Sequence, residues 1–130
     1  MARINHLALK VTDLEAATRF YENVYGFRQV HTGRSRGHIS RHRTDGDVDL
    51  ALMVYDSEDD EEAKLVGEWP AIHHFGIEVD NRQGSIEKIE ANGGGRSKPD
   101  SSTVKFRSPD GTIAEIVDVE RYRKMRDGRS

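Results

Sequence analysis

Residues 4–11, INHLALKV, alternate. Leu7, Leu9 and Val11 fall on one side and His6 and Ala8 on the other, which is the period of a half-buried strand. The period then lengthens. TDLEAATRFYENVYG places Leu14, Ala17, Tyr21 and Val24 at helical spacing, with Thr12 and Glu15 at capping-box spacing ahead and Gly26 as the stop. Three strands are expected next, over 28–32, 37–43 and, after the turn TDGD, 48–55. A second strand–helix–strands series follows, with strands over 72–79, 95–98, 102–107 and 112–119 and a weaker helix over 82–92 that ends in NGGG.

The two series are copies. Setting His6 on His74 aligns HLALKV with HFGIEV at an offset of 68, and setting TDG (44–46) on PDG (109–111) gives an offset of 65, an ordinary loop difference. Neither half could cover both faces of its small sheet alone. The fold class expected is therefore α+β: two tandem βαβββ modules that form a curved eight-stranded cup. The single domain of 130 residues divides into module one (1–56), an acidic linker (57–69), module two (70–119) and a basic tail (120–130). Residues 56–62, DSEDDEE, hold six acids in seven positions where the linker starts, and the stretch reads as solvated.

The histidines become informative only in this frame. His6 and His74 occupy the same place in two related strands. In GTIAEIVDV, Glu115 stands among Ile113, Ala114, Ile116 and Val117, where an unpaired buried anion is costly, so it needs a cation or donors. Two imidazoles and one carboxylate suit Fe²⁺, Mn²⁺, Zn²⁺, Ni²⁺ or Co²⁺, one ion per chain, and leave coordination positions open for substrate. The competing reading pairs Glu115 with a base such as Lys105. His73 competes with His74, but strand alternation turns it to the opposite face. Ala8 and Gly76, two places beyond the histidines, leave room for a ligand; Leu7, Leu9, Phe75 and Ile77 face the helices and the core.

Composition narrows the partners. The formal net charge is −3 with a pI near 6.1, which offers nothing to hold nucleic acid or an anionic membrane. There is no cysteine, so thiolate metal sites and cysteine nucleophiles are excluded. The longest apolar run, 50–54, is far shorter than the roughly 20 residues of a membrane span, and no leader pattern is evident. A cytoplasmic protein acting on a small molecule is expected.

INHLALKVTDLEAATRFYENVYGF (4–27), IHHFGIEVD (72–80) and SPDGTIAEIVD (108–118) together resemble the vicinal oxygen chelate superfamily, which includes glyoxalases, bleomycin-resistance proteins and extradiol dioxygenases. The resemblance implies metal ligands on the first and last strands of each module, here His6, His74 and Glu115. The fourth such position, set opposite Glu115 by the repeat, is Leu50, which cannot bind a metal; that departs from glyoxalase I. A homodimer is also implied, possibly with modules exchanged between chains. The activity expected is a glyoxalase-like lyase or isomerase that works through a metal-bound enolate on a small, oxygen-rich, anionic substrate. Two alternatives stand beside it. One is an extradiol-type dioxygenase with Fe²⁺, although GRSKPDSSTVKFRSPDG lacks the histidine and tyrosine that such enzymes carry there. The other is a metal-free binding or resistance protein.

In GRSRGHISRHR, alternation puts Arg36, His38, Ser40 and His42 on one face. If that face lines the cup, His38 or His42 is a candidate general base, imidazole being the side chain that titrates nearest neutrality. Arg36 is then a candidate to grip a substrate carboxylate or phosphate. Glu78 and Lys10 share the metal face further along their strands, and no role is assigned to them.

Overall fold

Strand pairing carries the repeat into three dimensions. A computed structural model describes residues 2–35, 37–68, 70–98, 105–118 and 123. Module one runs β1 (Arg3–Lys10), α1 (Leu14–Tyr25), β2 (Arg28–Ser35), β3 (His38–Thr44) and β4 (Asp49–Tyr55). A short helix α2 (Glu61–Lys64) leads to module two: β5 (Ala71–Val79), α3 (Arg82–Ala91), β6 (Gly95–Arg96), β7 (Lys105–Arg107) and β8 (Ile113–Asp118). Every strand expected from alternation is present; residues 101–104 and the tail, apart from Arg123, lie outside the described residues.

The strands form one eight-stranded mixed sheet in the order β2-β3-β4-β1-β5-β8-β7-β6. The order reads outward from the centre identically in both modules. In each, the first strand runs parallel to the last, β1 with β4 and β5 with β8, and the modules meet where β1 pairs antiparallel with β5. The sheet is open and curved into a cup, as the repeat implied.

Alternation sorts the side chains. Leu50 and Leu52 of β4 are buried toward the helix side, while Leu7, Leu9 and Phe75 there are only half-buried. In module two Val79, Phe106 and Ile116 pack with Ile86 of α3, and Ile77 and Ile89 lean on them. The opposite, concave face keeps a small apolar floor of Ala8, Ala51 and Met53, with Tyr55 against it. Ala8 has no exposed surface and packs in this floor, so it is part of the wall and leaves no open space for a ligand.

The start of α1 differs from the capping-box expectation. Asp13, in extended conformation, is the N-cap and its side chain accepts from the Ala16 N–H at 3.0 Å. A carboxylate at this place also meets the positive end of the helix dipole, which Thr12 could not offer. The helix ends as expected at Gly26, whose φ of 72° turns the chain in the left-handed region that favours glycine.

Because Leu52 is fully buried between the sheet and α1's side, Leu52→Ala is expected to lower the unfolding free energy by about 3 kcal/mol, the usual loss of transfer energy plus cavity cost. A denaturant titration should show an earlier midpoint with an unchanged slope.

Candidate metal centre

Two register shifts in the β1–β5 seam decide where the histidines go. Ile4 pairs with Ile77 but His6 with Gly76, and Ala8 pairs with His74 but Leu9 with Ile72, so Asn5 and His73 are the extra residues of two β-bulges. Each bulge residue precedes one histidine of the trio. The bulges bring His6 and His74 side by side across the seam, with ring centroids 5.3 Å apart. Gly76 is what permits this. A Cβ on residue 76 would lie 2.5 Å from the His6 Cβ, so the absent side chain makes room for His6 itself rather than for a ligand, as the sequence had suggested.

Glu115 of β8 pairs with Gly76 in the next strand. One ligand atom from each of His6, His74 and Glu115 can be chosen so that all lie within 4.8 Å of one another, and all three residues are buried. Of the six histidines and their acidic neighbours, the structure thus gathers the trio that the repeat singled out.

Hydrogen bonding fixes which nitrogen of His74 faces the group. The backbone carbonyl of Glu62 can only accept, so His73 donates to it from Nε2 at 2.7 Å. Neutral His73 therefore offers a lone pair at Nδ1, which meets His74 Nδ1 at 2.8 Å, so His74 carries its proton there. His74 Nε2 is left with a lone pair, 3.4 Å from Glu115 Oε2, buried and without a hydrogen-bond partner among the described residues. Burial pulls the His74 pKa down to about 4, the nearby Glu115 carboxylate opposing it, so the ring is neutral near pH 7. A lone pair and a carboxylate aimed at one another inside a protein call for a cation between them. The donor set fits a divalent ion of the borderline class.

His73 was expected on the face opposite His74. The bulge cancels alternation at that step, and the two rings meet edge to face at 5.0 Å. The acidic linker likewise is more than a solvated run. Ala63 in α2 has no exposed surface, and Lys10, itself buried, donates to Glu58 Oε2 at 3.1 Å, to the Ala63 carbonyl at 3.3 Å and to the Gly67 carbonyl. The short helix lies against the end of the cup because those cationic and imidazole donors need its oxygens.

The residue that sequence reasoning missed is Asp49. Buried at the start of β4, it accepts from His6 Nδ1 at 2.7 Å and from His42 Nδ1 at 2.8 Å. Burial pushes its carboxyl up, but the hydrogen bonds and charges of His42 and His6 outweigh that and hold it below the ordinary carboxylate range. The contact fixes His6 with its basic nitrogen at Nε2, the arrangement by which carboxylates orient metal-ligating imidazoles. A signal for it existed: Asp49 shares the parity of Ala51 and Met53, so a strand whose odd positions line the cup must bury this acid.

The polar residues form a belt across seven strands. From β2 to β7 it runs His31, His42, Asp49, His6, His74, Glu115 and Lys105. The ring centroids of His31 and His42 are 6.2 Å apart, and those of His6 and His42 6.4 Å. Lys105 Nζ lies 4.0 Å from Glu115 Oε2 and 3.5 Å from Glu62 Oε2, so the base named as Glu115's alternative partner is shared with Glu62. Of the three proposed cup residues, His42 joins the belt through Asp49. His38 stands further along β3, its ring 5.2 Å from that of Tyr55, and Arg36 lies outside the described residues.

Pairing also corrects the repeat frame. Ala8 pairs with Ala51 as Gly76 pairs with Glu115, so the counterpart of Glu115 is Ala51, and Leu50 points to the helix side. The change leaves the outcome intact, since alanine cannot ligate either.

A family model described as Glyoxalase/Bleomycin resistance protein/Dioxygenase superfamily matches residues 3–116. The chain belongs to this superfamily. A lactoylglutathione lyase of Salmonella typhimurium is 28% identical over 134 residues, covering 91% of this chain and 93% of that protein. Among solved structures, the hypothetical protein BH1468 from Bacillus halodurans C-125 superposes with a TM-score of 0.73 at 19% identity, over 90% of this chain and 94% of that one. A methylmalonyl-CoA epimerase in complex with methylmalonyl-CoA and NH4+ gives 0.71 at 22% identity, over 91% and 94%. These last two likenesses show the glyoxalase-type fold.

Two predictions follow from the packing and burial of this cluster. Gly76→Ala should leave the protein folded but displace His6, seen as a loss of bound divalent metal with a nearly unchanged far-UV spectrum. In the metal-free protein, held in chelator, stability should fall as pH is lowered from 7 to 4.5. His74 and His73 have folded pKa values below their unfolded ones, so the unfolded chain binds more protons in this window. Asp49, depressed as a carboxylate, loses its contribution further down in the same direction. From His74 alone the loss is about 2–3 kcal/mol by pH 4.5, and His74→Asn should flatten the profile.

Proposed function

We propose that the protein is a divalent-metal-dependent lyase or isomerase that moves a proton beside a carbonyl of a small, oxygen-rich, anionic substrate, with His6, His74 and Glu115 as the metal ligands. The observation that carries this is the buried His74 Nε2 lone pair facing the Glu115 carboxylate beside His6. A divalent ion held there supplies Lewis-acid polarisation of a substrate carbonyl, making the adjacent C–H acidic. The named enzymes among the relatives, a lactoylglutathione lyase and a methylmalonyl-CoA epimerase, favour proton transfer over ring cleavage by an Fe²⁺ dioxygenase and over a metal-free binding role.

His42 is the proposed general base. Its Nδ1–H is donated to Asp49, which leaves Nε2 as the basic nitrogen and fixes the ring beside His6. The base takes the proton from the carbon next to the carbonyl and, in an isomerisation, returns it to the neighbouring carbon; in an epimerisation a second group would deliver a proton to the opposite face while His42 keeps the one it took. His38 is the second candidate, and the phenol of Tyr55 beside it stays protonated because burial raises its pKa well above the usual range. Arg36, which lies outside the described residues, is proposed from the sequence to bind the substrate's anionic group.

A cytoplasmic homodimer belongs to the same reading. Ile4, Ile72, Phe20, Val24 and Tyr25 are largely exposed in the single chain and would be covered by a second copy. Among the described residues no helix is long and apolar enough to cross a membrane.

The test is a screen of 2-oxo acids, 2-hydroxy acids and thioesters in D₂O, with deuterium uptake next to the carbonyl as the readout. Glu115→Gln is expected to lose the metal and the exchange together. His42→Ala should keep the metal and lose about 10²- to 10⁴-fold in exchange rate, the usual contribution of a positioned acid–base group. Retention of full metal content by Glu115→Gln would remove it from the ligand set. Oxygen uptake with catechols by iron-loaded protein would transfer the assignment to the dioxygenase class.

A further inference from the structure

His73 is buried, lies outside the ligand trio and takes no part in the proposed proton transfer, yet both of its ring nitrogens are engaged. Its Nε2 donates to the Glu62 carbonyl of α2 at 2.7 Å, and its Nδ1 holds the Nδ1–H of His74 at 2.8 Å. We propose that His73 is a positioning residue that couples occupancy of the metal centre to folding of the 58–67 segment. This rests on the metal reading above.

The coupling has a physical basis on both sides. On the metal side, His74 can present Nε2 to an ion only while its proton sits on Nδ1, and His73 is the acceptor that keeps it there. His6 has Asp49 for the same purpose. On the segment side, α2 is four residues long, far too short to persist as an isolated helix. It is held by side chains that reach up from the sheet. Lys10 bonds Glu58 Oε2, the Ala63 carbonyl and the Gly67 carbonyl, and Lys98 and Lys105 lie 3.1 and 3.5 Å from the Glu62 carboxylate. Among these, Lys105 also comes within 4.0 Å of Glu115, but His73 is the one that hydrogen-bonds both the segment and a proposed ligand. If the segment unfolds, His73 loses the Glu62 carbonyl and keeps at Nε2 the Tyr55 hydroxyl, 3.4 Å away, which can donate as well as accept, so either ring tautomer becomes available; one of them would present an N–H to His74 and move the ligand's proton to Nε2. An ion on His74 Nε2 therefore favours the folded segment, and by linkage the folded segment favours the ion.

Cobalt(II) is a suitable probe, because its visible spectrum and binding heat report the site directly. The wild-type protein is expected to bind it, and amide hydrogen exchange over residues 61–67 is expected to slow when it does. His73→Leu, which removes both hydrogen bonds, should weaken Co²⁺ binding by about 10- to 100-fold, the usual cost of losing a group that orients a ligand. It should also abolish the metal-induced slowing. His73→Gln, which keeps one acceptor and one donor, should restore part of the affinity. Lys10→Met, remote from every ligand, should weaken binding in the same direction by loosening the segment.

Wild-type affinity in His73→Leu, or exchange over 61–67 that ignores Co²⁺ in the wild-type protein, would overturn the coupling while leaving the metal centre in place. A wild-type protein that takes up no Co²⁺ would overturn the metal reading itself. Should His73→Leu fail to fold, the wild-type exchange experiment and Lys10→Met decide the matter.

Discussion

The antiparallel seam between β1 and β5 is the constraint on which the rest of the molecule depends. It is where the two modules meet, and it is irregular at two places, each with an extra residue directly before a histidine. In a regular ladder, Asn5 and His6, or His73 and His74, would point to opposite faces. The bulges suspend that rule for one step on each strand. Two polar side chains can then enter the same buried region from each module, and the bare Cα of Gly76 lets the His6 ring lie across β5. Bulges of this kind commonly re-aim side chains next to functional sites.

What is buried at the seam must be paired, and the belt shows how. Among the described residues, from Asp49 to Lys105 each polar group meets a neighbour of complementary character, except that the Nε2 lone pair of His74 faces the carboxylate of Glu115, which itself has Lys105 4.0 Å away. Burying such a pair without a cation is unfavourable. Nothing in the helix-side core requires them, since Ile116, Phe106 and Ile86 pack on the other side of the sheet. The acids and bases thus cost stability locally and serve the concave face, while the layer behind supplies the apolar burial that keeps the chain folded.

Much of this was legible in the sequence. Alternation located the strands, and the repeat of INHLALKV in IHHFGIEV paired the modules and raised His6, His74 and Glu115 above other polar residues. What escaped was set by register. A bulge adds one residue and leaves no mark in an alternating pattern, so His73 was assigned to the wrong face, and a loop offset of one residue put Leu50 where Ala51 belongs. The acidic linker was misjudged for another reason. Its burial comes from backbone carbonyls, of Glu62, Ala63 and Gly67, which every sequence has, and from the carboxylates of Glu58 and Glu62 that meet Lys10, Lys98 and Lys105, which composition cannot tell from acids in water.

The exchange of roles on β4 is the most informative departure from a plain repeat. Module two places a carboxylate, Glu115, where β8 crosses the site, and module one has Ala51 at the matching place, with a carboxylate two residues earlier on the same face. Moving an acid by one pleat changes its chemistry. At the position of Ala51 it would face the group of His6, His74 and Glu115; at Asp49 it lies level with His6 and beside His42 and binds their N–H groups instead. On the proposed reading, an ion here would have three protein ligands rather than four and one more position for substrate oxygen or water. Asp49 instead fixes the tautomers of His6 and His42 at once, so in the proposed function coordination and proton transfer would be aligned by a single carboxylate.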